Sequence, residues 1–285
     1  MHADVKGQEE LQAKLDAAGL GHLAGALLPL ARPCIGLGLH SPSDKVGACK
    51  FGGTPDLAEG TAWPTGNGPL AFLCQINLAD LAGHGAAVAL PPRGFLWFFY
   101  DYDAQPWGFD PDDQSAWVVL FSDCAPDELR PQPAPEGLLH SFDDRELRPF
   151  TSLSFPPVFS NAMANALRDE PDLDSTCDAL DDGVLTGGCA HQLLGLPDEI
   201  QDAMELQCQL TSHGINTGDP DGYEDSRVKE LEEGAADWRL LLQIDSDEEG
   251  PGWMWGDTGM LYFWIREQDL ANKRFDRVWT ILQCH

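Results

Sequence analysis

Residues 240–265 read LLLQIDSDEEGPGWMWGDTGMLYFWI. Two apolar runs of strand length flank a turn rich in acid, glycine and tryptophan, a pattern that predicts a β-hairpin. Gly250, Pro251 and Gly252 supply the turn. In an extended first arm, Leu240, Leu242 and Ile244 share one face, and Gln243 and Asp245 share the other. The same order of blocks recurs upstream. FLCQIN (72–77) matches LLLQID (240–245), GFLWFF (94–99) matches GMLYFW (259–264), and AWVVLF (116–121) matches VWTILQ (278–283). Ahead of each set stands a turn, GTPD (53–56) and GLPD (195–198). A shared order of four blocks predicts two related halves. The expected fold class is α+β: internally duplicated, two similar β-rich halves packed as one body with flanking helices.

Outward from these blocks, residues 7–18 carry Leu11, Leu15 and Ala18 at helical spacing. A second helix is expected over 20–30, ending near Pro33. Two more are expected later. Residues 196–210 have Pro197 in the first turn, and residues 225–238 are capped by Asp225 or Ser226. A short strand is expected within 150–160. Residues 123–149 and 168–188 are rich in acid or proline and read as loops. The organisation expected is an N-terminal helical segment over 1–50, then one domain over 51–285. Its internal repeat covers about 51–122 and 195–284, with acidic connecting loops.

The chain of 285 residues carries 47 acids against 17 Lys and Arg, a net charge of −30. Such a field repels phosphate backbones and anionic lipid, so neither nucleic acid nor membrane is expected as a partner. A basic protein or peptide would be attracted. Eight cysteines without a CxxC pair predict reduced, buried thiols and a cytoplasmic location. The start is charged and helical, and no signal peptide is expected from it.

The blocks GGTPDL, PLAFLCQINLADL, LPPRGFLWFFYD, HQLLGLPDEIQ, LLLQIDSD, WGDTGMLYFWI and QDLANKRFDRVWTILQC resemble the YwqG-like family of bacterial and lower-eukaryotic proteins. The resemblance runs from about Phe51 to Cys284. It implies a soluble α+β domain with an internal duplication, and no established reaction.

Several constellations are candidates for chemistry. Asp245, Asp247 and Glu249 followed by Gly250 match the first positions of a D-x-D-x-acid-G calcium loop. The match fails at the twelfth position, Gly256, where a bidentate Glu is required. With Asp257 folding back, Asp245, Asp247 and Glu249 form a candidate metal set, with Ca²⁺ as a weak guest and no resident cofactor. Gln75 with Asn77, and Gln243 with Asp245, place polar side chains on the face opposite Cys74 and Ile76, or Leu242 and Ile244. Phe72 is expected on the Cys74 face. Each Gln either pins the neighbouring GTP or GLP turn or forms a polar cleft floor. Trp253 and Trp255 are candidate core or cleft walls, and Trp107 and Trp253, which sit in loops, are candidate exposed anchors or a lid over the core. His191 is a candidate base or a hydrogen-bonded structural residue. No G-x-S-x-G, P-loop or HExxH motif is present. The functional expectation is therefore a binding module that recognises a basic protein or peptide, as an immunity or regulatory protein would. The alternative is a hydrolase or transferase working through cleft carboxylates, with or without a metal.

Overall fold

The computed structural model describes residues 5–185 and 190–285. Twelve strands run β1 (Arg32–His40), β2 (Lys50–Phe51), β3 (Asp56–Ala58), β4 (Ala71–Asn77), β5 (Phe95–Tyr100), β6 (Trp117–Ser122), β7 (Leu129–Pro131), β8 (Arg145–Ser154), β9 (Gln192–Leu193), β10 (Trp238–Asp245), β11 (Met260–Arg266) and β12 (Trp279–Gln283). Ten of them form one antiparallel sheet in the order β12-β11-β10-β9-β1-β8-β2-β4-β5-β6. The two long strands β1 and β8 pair at its centre from Arg32↔Ser154 to His40↔Glu146. A three-stranded meander lies on each side, joined to the centre by a two-residue strand, β9 or β2.

The strands β4, β5, β10 and β11 are largely apolar because both of their faces are covered over most of their length. One face looks inward, where Phe98 meets Phe263 edge-on with a centroid distance of 5.1 Å. Each meander has a bulge in its first strand, between Phe72 and Cys74 and between Leu240 and Leu242. A bulge increases local twist and bends the sheet. The sheet curls until its two end strands approach. Trp117 packs edge-on to Trp279 at 5.0 Å, and its indole N–H donates to the Val278 carbonyl. The sheet is thus nearly closed into a barrel with a few helices around it.

Outside the barrel, β3 and β7 form a two-stranded flap. Leu57 and Leu129 from that flap cover Phe72, Phe95, Trp97 and Phe99. A separate helical cluster packs Leu11 and Leu15 of the helix Val5–Ala17 against Leu23, Leu27, Met163 and Leu180. No helix among the described residues is long and apolar enough to cross a membrane.

Several expectations are corrected. The first fifty residues are not helical alone, since they supply β1 at the centre of the sheet. Residues 20–30 form only a short 3-10 turn and one helical turn, Ala24–Leu27. Helix within 196–210 is confined to Glu205–Thr211. Helix in 225–238 is limited to Val228–Leu231 before a 3-10 segment. The strand expected in 150–160 is Arg145–Ser154. The stretch 123–149 contains β7, and 168–188 contains the helix Leu173–Ala179. Phe72 turns away from Cys74 because the bulge at Leu73 shifts it to the Trp97 side. The last pair of blocks moves by one residue: Trp279 pairs with Trp264, whereas Trp117 pairs with Tyr100. No disulfide joins the seven described cysteines, and Cys189 lies outside the described residues.

Candidate functional site

The two buried glutamines organise the ground beneath the site. Gln75 is fully buried. Its Oε1 accepts from the Asp56 N–H at 2.8 Å and from the Trp97 indole at 2.9 Å. Its Nε2 donates to the Ala48 carbonyl and to Asp56 Oδ2. Gln243 is equally buried. Its Oε1 accepts from the Asp198 N–H at 2.8 Å, and its Nε2 points to the Ala190 carbonyl at 3.4 Å. Each glutamine thus pins a tight turn. The turns pass through left-handed backbone at Gly52 and Gly53, and at Leu194 and Gly195. That conformation carries little strain in glycine and more in Leu194. A Cβ on Gly195 would stand 2.4 Å from Ser154 Oγ, so that position requires glycine on space as well.

The next residues along each strand diverge in chemistry. Asn77 donates from its side chain to the Gly47 carbonyl and accepts from the Ala79 N–H, while its own N–H points to Cys49 Sγ. Asp245 donates its N–H to His191 Nδ1 at 3.1 Å. That contact places the imidazole proton on Nε2, 3.7 Å from Asp247 Oδ2. The imidazole N–H, together with the Gly250 N–H on Oδ1, holds the Asp247 carboxyl below its ordinary range against partial burial. His191 is buried and edge-on to Phe51 and Trp253. It is thus a hydrogen-bonded wedge under the hairpin.

The expected metal set is drawn apart. Asp247 caps its own turn, Glu249 is exposed, and Asp257 is exposed with its carbonyl accepting from the His285 N–H. Among the described residues no group of three or more His, Cys, Asp and Glu side chains is placed to hold a metal ion. Trp253 is not an exposed anchor, and Trp255 lies in the core. Both are fully buried, and both indoles donate to the Asp245 carbonyl. Their role is to staple the turn to the barrel, and only Trp107 of the three reaches solvent.

A large concavity lies elsewhere. A cleft of about 490 Å³ opens between the helix Val5–Ala17, the end of β8 with residues 155–159, and the loop 196–200. Leu11, Leu153, Phe155, Val158 and Ile200 give it apolar walls, and Glu10, Lys14, Asp181, Gln192, Asp198 and Glu199 give it polar ones. No described residue donates a hydrogen bond to the Asp198 or Glu199 carboxylates. Burial pushes Glu199 up to about 7, with Glu205, Asp202 and Asp198 adding repulsion. Asp198 is exposed at the cleft. Desolvation, then Asp181 and Asp245, raise its pKa. The Tyr262 hydroxyl donates to the Asp198 carbonyl and fixes the loop from below.

Asp198, Glu199 and Gln192 were not singled out from the sequence, where LPDEIQ reads as a helix start. The usable signal is the alignment of ACKFGGTPD (48–56) with AHQLLGLPD (190–198), which sets Lys50 against Gln192. Lys50 pairs with Gln75, and Gln192 pairs with Gln243, across the respective strands. A family model described as a domain of unknown function (DUF1963) matches residues 49–284. No curated protein matches the chain.

Proposed function

We propose that this chain, which belongs to the DUF1963 family, is a binding module that takes a basic segment of a partner protein into the cleft beside Asp198. The observation that carries this reading is the cleft's composition. Glu10, Asp181, Asp198 and Glu199 line it with Lys14 as the one Lys or Arg among the described residues, between apolar walls. A net charge of −30 would steer a cationic partner towards it. Masking of a basic protein, as in immunity or regulation, fits that chemistry. The free thiols support a reducing, cytoplasm-type setting.

The finer architecture belongs to the same reading. We take the chain as two copies of one β-rich unit, in the manner of the YwqG-like group. The matched contacts of Gln75 with Asp56 and Ala48, and of Gln243 with Asp198 and Ala190, support this. So do the bulges at corresponding places.

Calorimetry with a Lys- and Arg-rich peptide and an uncharged peptide of equal length tests the binding reading. Binding of the basic peptide alone is expected, weakening at high salt, with Asp198→Asn lowering affinity about tenfold. Equal binding of both peptides, or none, overturns it. A second reading, acid–base catalysis by a hydrolase or transferase, has one observation in its favour. Glu199 at about 7 suits proton transfer near neutral pH. It requires turnover that is lost in Glu199→Gln.

A further inference from the structure

Residues 48–57 and 190–199 occupy matching places around their glutamines but differ in charge. In the first set, Lys50 Nζ lies 2.9 Å from Asp56 Oδ2, and both residues are buried. The Gly47 N–H and Gln75 Nε2 complete the contacts of that carboxylate oxygen. The ammonium is supplied internally, and the pair is closed to solvent by the flap that carries Leu57. A carboxylate buried in this way needs a paired charge and further hydrogen bonds.

In the second set, Gln192 stands where Lys50 does. It is buried and donates to the Leu194 and Leu196 carbonyls, so it does not reach Asp198. Glu199 stands where Leu57 does, and Asp245 stands where Asn77 does. Lys to Gln, Leu to Glu and Asn to Asp each shift the local charge by −1, three in all. Among the described residues the covering flap has no counterpart here. The cleft occupies the side that Asp198 faces.

We propose that the cleft's specific ligand group is a primary ammonium, the side chain of a lysine in an extended segment, seated on Asp198 with Glu199 as its second acceptor. The inference rests on the binding reading above and names the group that reading leaves open. The first set demonstrates that a carboxylate in this frame accepts an ammonium within 2.9 Å. The apolar walls from Leu153, Phe155 and Val158 suit the lysine methylenes, which bury along apolar surface while the head stays polar. An ammonium is a compact point charge that a single carboxylate oxygen holds in the first set, whereas a guanidinium is a planar fork that binds best to two acceptor atoms at once.

The test uses the full chain and four peptides of one length, followed by calorimetry. An N-acetylated lysine peptide, its arginine counterpart and its ε-acetyl-lysine counterpart form the first three arms. The fourth is a lysine-free peptide with a free amino terminus, which separates a terminal ammonium from a side-chain one. The lysine peptide is expected to bind about tenfold more tightly than the arginine peptide, and the acetylated one not measurably. Asp198→Asn is expected to erase that preference while leaving weak, salt-sensitive binding. Gln192→Lys, which supplies an internal ammonium, is expected to lose the lysine peptide. Equal binding of lysine and arginine peptides overturns the ammonium assignment and leaves the basic-segment reading intact. Preference for the free amino terminus overturns the side-chain assignment. Failure of every peptide removes both. The peptide arms decide the matter even where Gln192→Lys fails to fold.

Discussion

Gln75 and Gln243 serve the same kind of turn with different sets of partners, and the difference is measurable. Gln75→Leu leaves the Asp56 N–H, the Ala48 carbonyl and the Trp97 indole without a partner, next to a buried ion pair. A loss of about 3 kcal/mol or more is expected in urea unfolding. Gln243→Leu frees one well-placed N–H and one long carbonyl contact, so a loss of about 1–2 kcal/mol is expected. The reverse ranking would refute this account. Glu199 sets a pH dependence. Its folded pKa of about 7 lies above the ordinary 4.5, so the native state holds a proton that the unfolded chain has released. The contribution is fully present below about 4.5, falls as pH rises, and is lost above about 7. Unfolding midpoints across that window should decline more steeply for the natural protein than for Glu199→Gln. Parallel curves would show that Glu199 titrates normally.

At the scale of elements, what was legible depended on how plainly burial is written in composition. The strands β4, β5, β10 and β11 are continuous apolar runs because the barrel interior and an outer layer cover both faces. β1 went unread because Gly36 and Gly38 break the pattern. Those glycines answer to a neighbour far along the chain, since a Cβ on Gly36 would stand 2.2 Å from the Phe150 ring. β8 alternates partly exposed residues, which look like loop. The cleft was harder still to read. Its wall joins the helix Val5–Ala17 to a loop nearly two hundred positions away, and no local pattern announces that meeting. That helix is held mainly by Leu11 and Leu15 in a cluster apart from the barrel core. Leu15→Ala should cost about 2–5 kcal/mol within that cluster. Hydrogen exchange should then quicken in Val5–Ala17 and leave the β10–β11 amides protected. Uniform acceleration across the chain would mean that the helix and barrel open as one unit.

For the whole molecule, the net charge of −30 acts against compactness. Added sodium chloride should therefore raise the thermal midpoint, by screening repulsion over a distance of about 10 Å at 0.1 M. A midpoint that falls with salt would point to net favourable ion pairing instead. The near-closure of the barrel depends on Trp117 against Trp279, and Trp117→Ala should cost about 3–5 kcal/mol in chemical unfolding. The central pairing of β1 with β8 has a further consequence in time. About a hundred residues separate the end of one strand from the start of the other. At about 5–20 residues per second, a ribosome needs roughly 5–20 s to make that stretch. Throughout those seconds β1 has emerged with its apolar residues and neither edge paired, and an open edge is a template for other chains. The protein is therefore most vulnerable while it is being made, and its demand on chaperones belongs to synthesis rather than to the finished fold.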